Sequence, residues 1–139
     1  RKIANENKHK VSQSIYFHWL NRSHKSYDWF ASMLAEAEEQ LGDDFNLHIH
    51  LTSLNNDLTN LMMQMALAAY YQQKDQDPIT GLKAITSAGR PNWDKTFKAI
   101  TLDHPTETVD VYYCGPKELG VSVKKMCHKY GFIYREEKF

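Results

Sequence analysis

The stretch Val109-Asp110-Val111-Tyr112-Tyr113-Cys114-Gly115-Pro116 decides how this chain is read. A short apolar run reads as a buried strand. It breaks at Gly115-Pro116 and feeds a helical pattern that continues to about Lys129. Pro116 suits the first turn of a helix, where a missing N–H costs nothing, and Gly115 lets backbone approach a ligand closely. Strand, tight turn and helix N-terminus make one βα unit of an open α/β sheet. In such sheets ligands bind outside the carboxyl ends of the strands. Cys114 is placed at such an end, and the other strand ends are expected at the same rim.

Downstream, Leu119, Val123, Met126, Cys127 and Tyr130 recur at helical spacing, and Phe132-Ile133-Tyr134 reads as the last strand. Arg135-Glu136-Glu137-Lys138-Phe139 reads as a tail. Upstream, Asn92 can cap a helix that turns Trp93, Phe97 and Ile100 inward. Arg90 precedes Pro91, which biases it towards extended backbone and puts a guanidinium on a loop beside a helix start. There it can pair with a carboxylate or reach a phosphate. The segment from Gln72 onward, through Ile79-Thr80-Gly81-Leu82-Lys83 and up to Gly89-Arg90-Pro91, reads as one long connection, and Leu58, Leu61, Met62, Met65, Ala66 and Ala69 as a helix whose methionines fill core.

Towards the N-terminus, Asn46-Leu47-His48-Ile49-His50-Leu51 is a strand that stops at Thr52-Ser53, hydroxyls that either shape a turn or bond a ligand. His48 and His50 share a face at a spacing that can bind a metal. No third ligand is evident, so no metal site is expected. Tyr27, Phe30, Leu34, Ala37 and Leu41 make a helix, capped by Ser26 and ended by Gly42. The first strand is Ile15-Tyr16-Phe17-His18-Trp19-Leu20, followed by Asn21-Arg22. Arg22 is either a solvated loop residue or a ligand group. In dinucleotide folds the second strand ends at the adenosine ribose, where an arginine accommodates a 2′-phosphate.

At 139 residues the chain is read as one domain, 1–139, with a polar, flexible lead-in over 1–13. Its 17 basic and 17 acidic residues balance, which points away from nucleic acid as a partner. Two cysteines without zinc-type spacing suggest reduced thiols. No apolar run is long enough to span a bilayer. No G-x-G-x-x-G or P-loop occurs, so the turn that would hold a pyrophosphate is missing. Either phosphate is not the ligand or this is a piece of a longer chain, and the polar start at Arg1 favours the second. Strands 15–20 and 108–113 would then lack the strand between them, and marginal stability is expected of the chain alone.

Taken together these words resemble the C-terminal part of the NADPH oxidase family, the transmembrane flavocytochromes that make superoxide or peroxide. The resemblance runs from about Ser14 to Phe139. It rests on Ile15-Tyr16-Phe17-His18-Trp19-Leu20-Asn21-Arg22, Leu51-Thr52-Ser53, Ile79-Thr80-Gly81-Leu82-Lys83, Gly89-Arg90-Pro91-Asn92-Trp93, Tyr113-Cys114-Gly115-Pro116 and the terminal Phe139. It implies a doubly wound parallel α/β sheet of the ferredoxin-NADP reductase-like nucleotide-binding type, without its first strand and glycine-rich turn. Gln64-Met65-Ala66-Leu67 and Tyr130-Gly131-Phe132 look most like the calcium-regulated subtype, whose calcium-binding regulatory domain would lie upstream.

The resemblance also implies roles. Arg22 and Arg90 would bind the adenosine 2′-phosphate of NADPH. Thr52 would lie near the ribose and adenine, and Cys114, Gly115 and Pro116 beside the nicotinamide ribose. Phe139 would stack on the flavin. Lys138 stands where the family often has Asn, and His18 where an aromatic is frequent. Hydride would pass from NADPH to FAD, bound mainly by an upstream FAD-binding domain, and electrons then through a transmembrane haem domain to O2. The chain would work at the cytosolic face of a membrane. Two rivals remain: a ferric reductase or metalloreductase of the same architecture, and a docking module that has lost nucleotide binding.

Overall fold

The computed structural model describes residues 13–22, 30–52 and 81–138, with seven further helical positions between 62 and 73. The chain divides into two compact units, residues 1–90 and 91–139.

The first unit is built on a parallel three-stranded sheet in the order β1-β2-β3. Strand β1 is Ile15–Asn21, β2 is Phe45–Leu51 and β3 is Ile85–Ala88. Helix α1, Ala31–Leu41, connects the first two, followed by a short 3-10 turn at Gly42–Asp44. Side chains alternate across a sheet with period two. One face of β2 therefore carries Leu47, Ile49 and Leu51, which form a buried cluster with Leu34 of α1 and Ala84. Phe17, Trp19, Phe30, Phe45 and Leu82 pack around it. The opposite face of β1 and β2 carries His18, His48 and His50.

Three expectations need correction here. The first is β3, which falls in a segment read as connection. Its hydrophobic alternation is inverted: Ile85 is exposed while Thr86, the register partner of Ile49, is buried. Burial periodicity therefore does not follow residue type there, and only Gly81 and Gly89 mark the boundaries. Second, α1 begins at Ala31, with Phe30 at the N-cap position and no side-chain cap. Ser26 and Tyr27 lie outside the described residues. Third, Met62, Met65, Ala66 and Ala69 do share a helical face, but all four are exposed rather than core. The spacing establishes an apolar face, and does not establish what covers it.

The second unit holds the parallel pair β4, Asp110–Tyr113, and β5, Ile133–Glu136, with helices α2, Trp93–Asp103, and α3, Lys117–Tyr130. Arg135 and Glu136 thus belong to the last strand and not to a tail, because both pair with β4. Asn92 caps α2 by accepting the Lys95 N–H at 3.0 Å. Phe97, Tyr113, Val123 and Cys127 form the buried centre, wrapped by Trp93, Leu119, Met126, Tyr130, Phe132 and Tyr134. Lys129 and Tyr130 of α3 reach Asp94 in the first turn of α2 at 2.6 and 2.8 Å. The five strands among the described residues all pair in parallel, in keeping with the expected fold class.

Candidate functional site

The C-terminal ends of β1, β2 and β3 lie side by side. Leu51 is the register partner of both Asn21 and Ala88, so Arg22, Thr52 and Gly89 each leave their strand at the same edge of the sheet. The ladder continues one residue past the strands. Thr52 N–H donates to the Asn21 carbonyl at 2.8 Å, and Gly89 N–H to the Leu51 carbonyl at 2.7 Å. The Thr52 hydroxyl donates to the same Asn21 carbonyl at 3.2 Å. Gly89 has φ 86°, a conformation that a side chain disfavours, and it turns the chain from β3 into Arg90.

Arg22 and Arg90 are both exposed. Neighbouring strands are about 4.8 Å apart, so two arginines flanking a three-stranded edge start roughly 10 Å from each other across the sheet. No carboxylate occurs among residues 20–22, 50–52 or 88–90. Among the described residues the edge presents two guanidiniums, one hydroxyl and no acid, a donor set suited to an anion. Three of the expected site residues are brought together at this edge.

In the second unit Cys114 follows β4 directly and is exposed. Pro116 occupies the N-cap position of α3 (φ −61°, ψ 141°), one residue before the first helical turn. The close approach made by Gly115 is internal: a Cβ there would lie 2.7 Å from the Tyr113 hydroxyl oxygen. Cys127 is 1 % exposed and burial pushes its thiol up, which fits inert core. Both cysteines are free. Phe139 lies outside the described residues.

The histidine reading gains a member. His18 on β1 is the register partner of His48 and stacks on it with ring centroids 4.7 Å apart. His18 Nδ1 lies 3.1 Å from His50 Nε2, so one imidazole donates to the other. Burial, aided by the neighbouring imidazoles, lowers His18 to about 3 and His50 to about 4. His48 is lowered by burial as well. All three are neutral near pH 7. Among the described residues no group of three His, Cys, Asp or Glu side chains is placed to hold a metal ion. The alignment of His18 with His48 could be inferred from sequence only once β1 and β2 were known to be adjacent and in that register.

A parallel α/β sheet with such a C-terminal edge is an architecture in which ligands bind outside the carboxyl ends of the strands. Comparison with known proteins narrows this. The model of the Ferric reductase NAD binding domain family matches residues 1–128, and the chain belongs to that family. It is 35% identical to NADPH oxidase 3 of Homo sapiens over 138 residues, covering 90% of this chain and 23% of that protein. It is 37% identical to human NADPH oxidase 5 over 139 residues, covering 94% of this chain and 18% of that protein. With NADPH oxidase 1 of Mus musculus it shares 37% identity over 133 residues, 92% of this chain and 21% of the relative. The chain thus spans about a fifth of the length of these relatives. No helix among the described residues is long and apolar enough to cross a membrane.

Proposed function

We propose that residues 1–139 are the NADPH-binding part of the dehydrogenase domain of an NADPH oxidase. The observation that carries this reading is the shared edge of β1, β2 and β3, from which Arg22, Thr52 and Arg90 all emerge. Two guanidiniums suit the doubly charged 2′-phosphate that distinguishes NADPH from NADH. Thr52 has its hydroxyl proton engaged by Asn21 and keeps lone pairs with which to accept from a ribose hydroxyl. Cys114, Gly115 and Pro116 form the turn proposed to lie beside the nicotinamide. Phe139 is proposed to cover the flavin until nicotinamide replaces it.

Bound together, NADPH and FAD would supply hydride chemistry, with haem in a membrane domain passing electrons on to O2 to give superoxide or peroxide. The residues of this chain bind and orient, and none need act as an acid or base. The FAD-binding domain, the haem domain and a calcium-binding regulatory domain belong to the proposal as partners on the same polypeptide. So does its location at the cytosolic face of a membrane.

The test is calorimetric titration of the protein with NADPH and with NADH, repeated for Arg22→Ala and Arg90→Ala. Each substitution should weaken NADPH binding by roughly 1.5–3 kcal/mol and leave NADH binding nearly unchanged. Equal losses for both nucleotides would overturn the 2′-phosphate assignment. A ferric reductase is the second reading, favoured by the description of the matching family. It differs in the final acceptor, and side-by-side assays of oxygen and ferric-chelate reduction separate the two.

A further inference from the structure

Tyr113 is the last residue of β4 and is 8 % exposed. Its ring sits under the turn that follows it. The phenol donates to the Pro116 carbonyl at 2.7 Å, the same oxygen that accepts the Gly120 N–H at 3.1 Å and so opens helix α3. Two glycines make room for this side chain. A Cβ on Gly115 would lie 2.7 Å from the phenol oxygen and 3.2 Å from Cζ, and a Cβ on Gly120 would lie 2.8 Å from Cε1. Tyr134 of β5 stacks behind it with ring centroids 6.2 Å apart. The ring is thus enclosed by the turn, the helix and the neighbouring strand.

We propose that Tyr113 is a positioning residue for hydride transfer, holding the Cys114-Gly115-Pro116 turn in the one conformation that presents Cys114 to the nicotinamide. The inference rests on the reading of this turn given above, and goes beyond it by naming what shapes the turn. A tight turn of three exposed residues has little packing of its own, and a strand end and a helix start can be joined in more than one way. The phenol fixes the distance between them by joining the end of β4 to the N-cap carbonyl of α3. Burial raises the Tyr113 pKa, so the donor proton is retained across the neutral range. Hydride transfer is sensitive to displacements of about 1 Å at the reacting atoms, whereas binding of the distant 2′-phosphate is not. Loss of the phenol should therefore be read in rate and not in affinity.

The experiment follows flavin reduction by NADPH in rapid mixing, using the full-length protein and the variants Tyr113→Phe, Gly115→Ala, their double variant and Cys114→Trp. Tyr113→Phe keeps the ring and removes only the donor. The limiting reduction rate should fall roughly 10- to 100-fold, with NADPH affinity and the preference over NADH retained. Gly115→Ala presses on the same hydroxyl from the other side and should slow the same step, with the double variant no slower than the slower single one. A wild-type rate in Tyr113→Phe, while Cys114→Trp blocks reduction, would overturn the proposal and leave the reading of the turn standing. An unaffected rate in Cys114→Trp would overturn both. Equal losses of rate and NADPH affinity in Tyr113→Phe would mark a general structural role and also count against the proposal.

Discussion

Thr52 bonds twice to the carbonyl of Asn21, through its N–H at 2.8 Å and its hydroxyl at 3.2 Å. The last residue of β1 is therefore held by the first residue after β2, and Arg22 departs from a fixed point. Thr52→Val keeps shape and N–H but loses the hydroxyl. It should cost about 0.5–1.5 kcal/mol of stability and lower the preference for NADPH over NADH. Thr52→Ser should retain both. Denaturant midpoints and paired nucleotide titrations check the expectation, and a Val variant with unchanged preference would separate Thr52 from the placement of Arg22.

The two helices of the second unit are tied by Asp94. It accepts from Lys129 Nζ at 2.6 Å and from the Tyr130 phenol at 2.8 Å, and these bonds, Lys129 first, hold its carboxyl below the usual range. A depressed carboxyl stabilises the fold above its unfolded pKa, and that stabilisation is lost as pH falls through the folded value. Both ion-pair partners are about half exposed, so the effect is screened. Asp94→Asn and Lys129→Met should each lower the melting temperature slightly, less so in high salt. The double variant should be no worse than the poorer single one. Additive losses in a double-mutant cycle would contradict a direct coupling.

The parts of the fold that were legible from sequence share a cause. Helix α3 announces itself because Leu119, Val123, Met126, Cys127 and Tyr130 bury on one side, and Asn92 caps α2 by local chemistry alone. Strand β3 was not legible because its burial pattern opposes its residue pattern: Thr86 is inside and Ile85 outside. Its place is set by pairing with β2, a non-local interaction. The candidate edge follows the same division. Arg22, Thr52 and Arg90 can be picked out singly from their words, yet their adjacency depends on the order β1-β2-β3, and so on a strand whose residue pattern does not announce it. Tyr113 carries no motif of its own as a turn support. Only the separation of its hydroxyl from Pro116 and of its ring from Gly120 reveals it.

Gly120 tests how tightly that ring is held. Gly120→Ala would normally favour a helix, because alanine is the better helix former by about 1 kcal/mol. Here the new Cβ would meet Tyr113 Cε1 at 2.8 Å and the Tyr134 hydroxyl at 3.1 Å. Overpacking of this kind costs about 1–3 kcal/mol, so the steric term wins. Equilibrium unfolding should show a net loss, and a stabilised Gly120→Ala variant would mean that the Tyr113 ring moves freely.

The histidine ladder makes stability depend on pH in a stated direction. His18 and His50 titrate at about 3 and about 4 in the folded chain, against about 6.5 when unfolded. Below pH 6.5 the unfolded chain therefore binds protons that the folded one does not, and stability falls as pH falls. Its full value is present above pH 6.5. Between pH 8 and pH 5 each of the two histidines should remove about 2 kcal/mol, because the unfolded imidazoles take up protons there and the folded ones do not. Carboxylates with ordinary pKa values remain ionised for the most part at pH 5, so the window isolates the imidazoles. Unfolding free energies measured at pH 8, 6.5 and 5 should decline, and His18→Phe or His50→Leu should flatten the decline. Phenylalanine and leucine also remove the His18–His50 hydrogen bond at 3.1 Å, so their absolute stability at pH 8 is a separate quantity from the slope. A profile as steep in both variants as in the parent chain would place the titrating groups elsewhere.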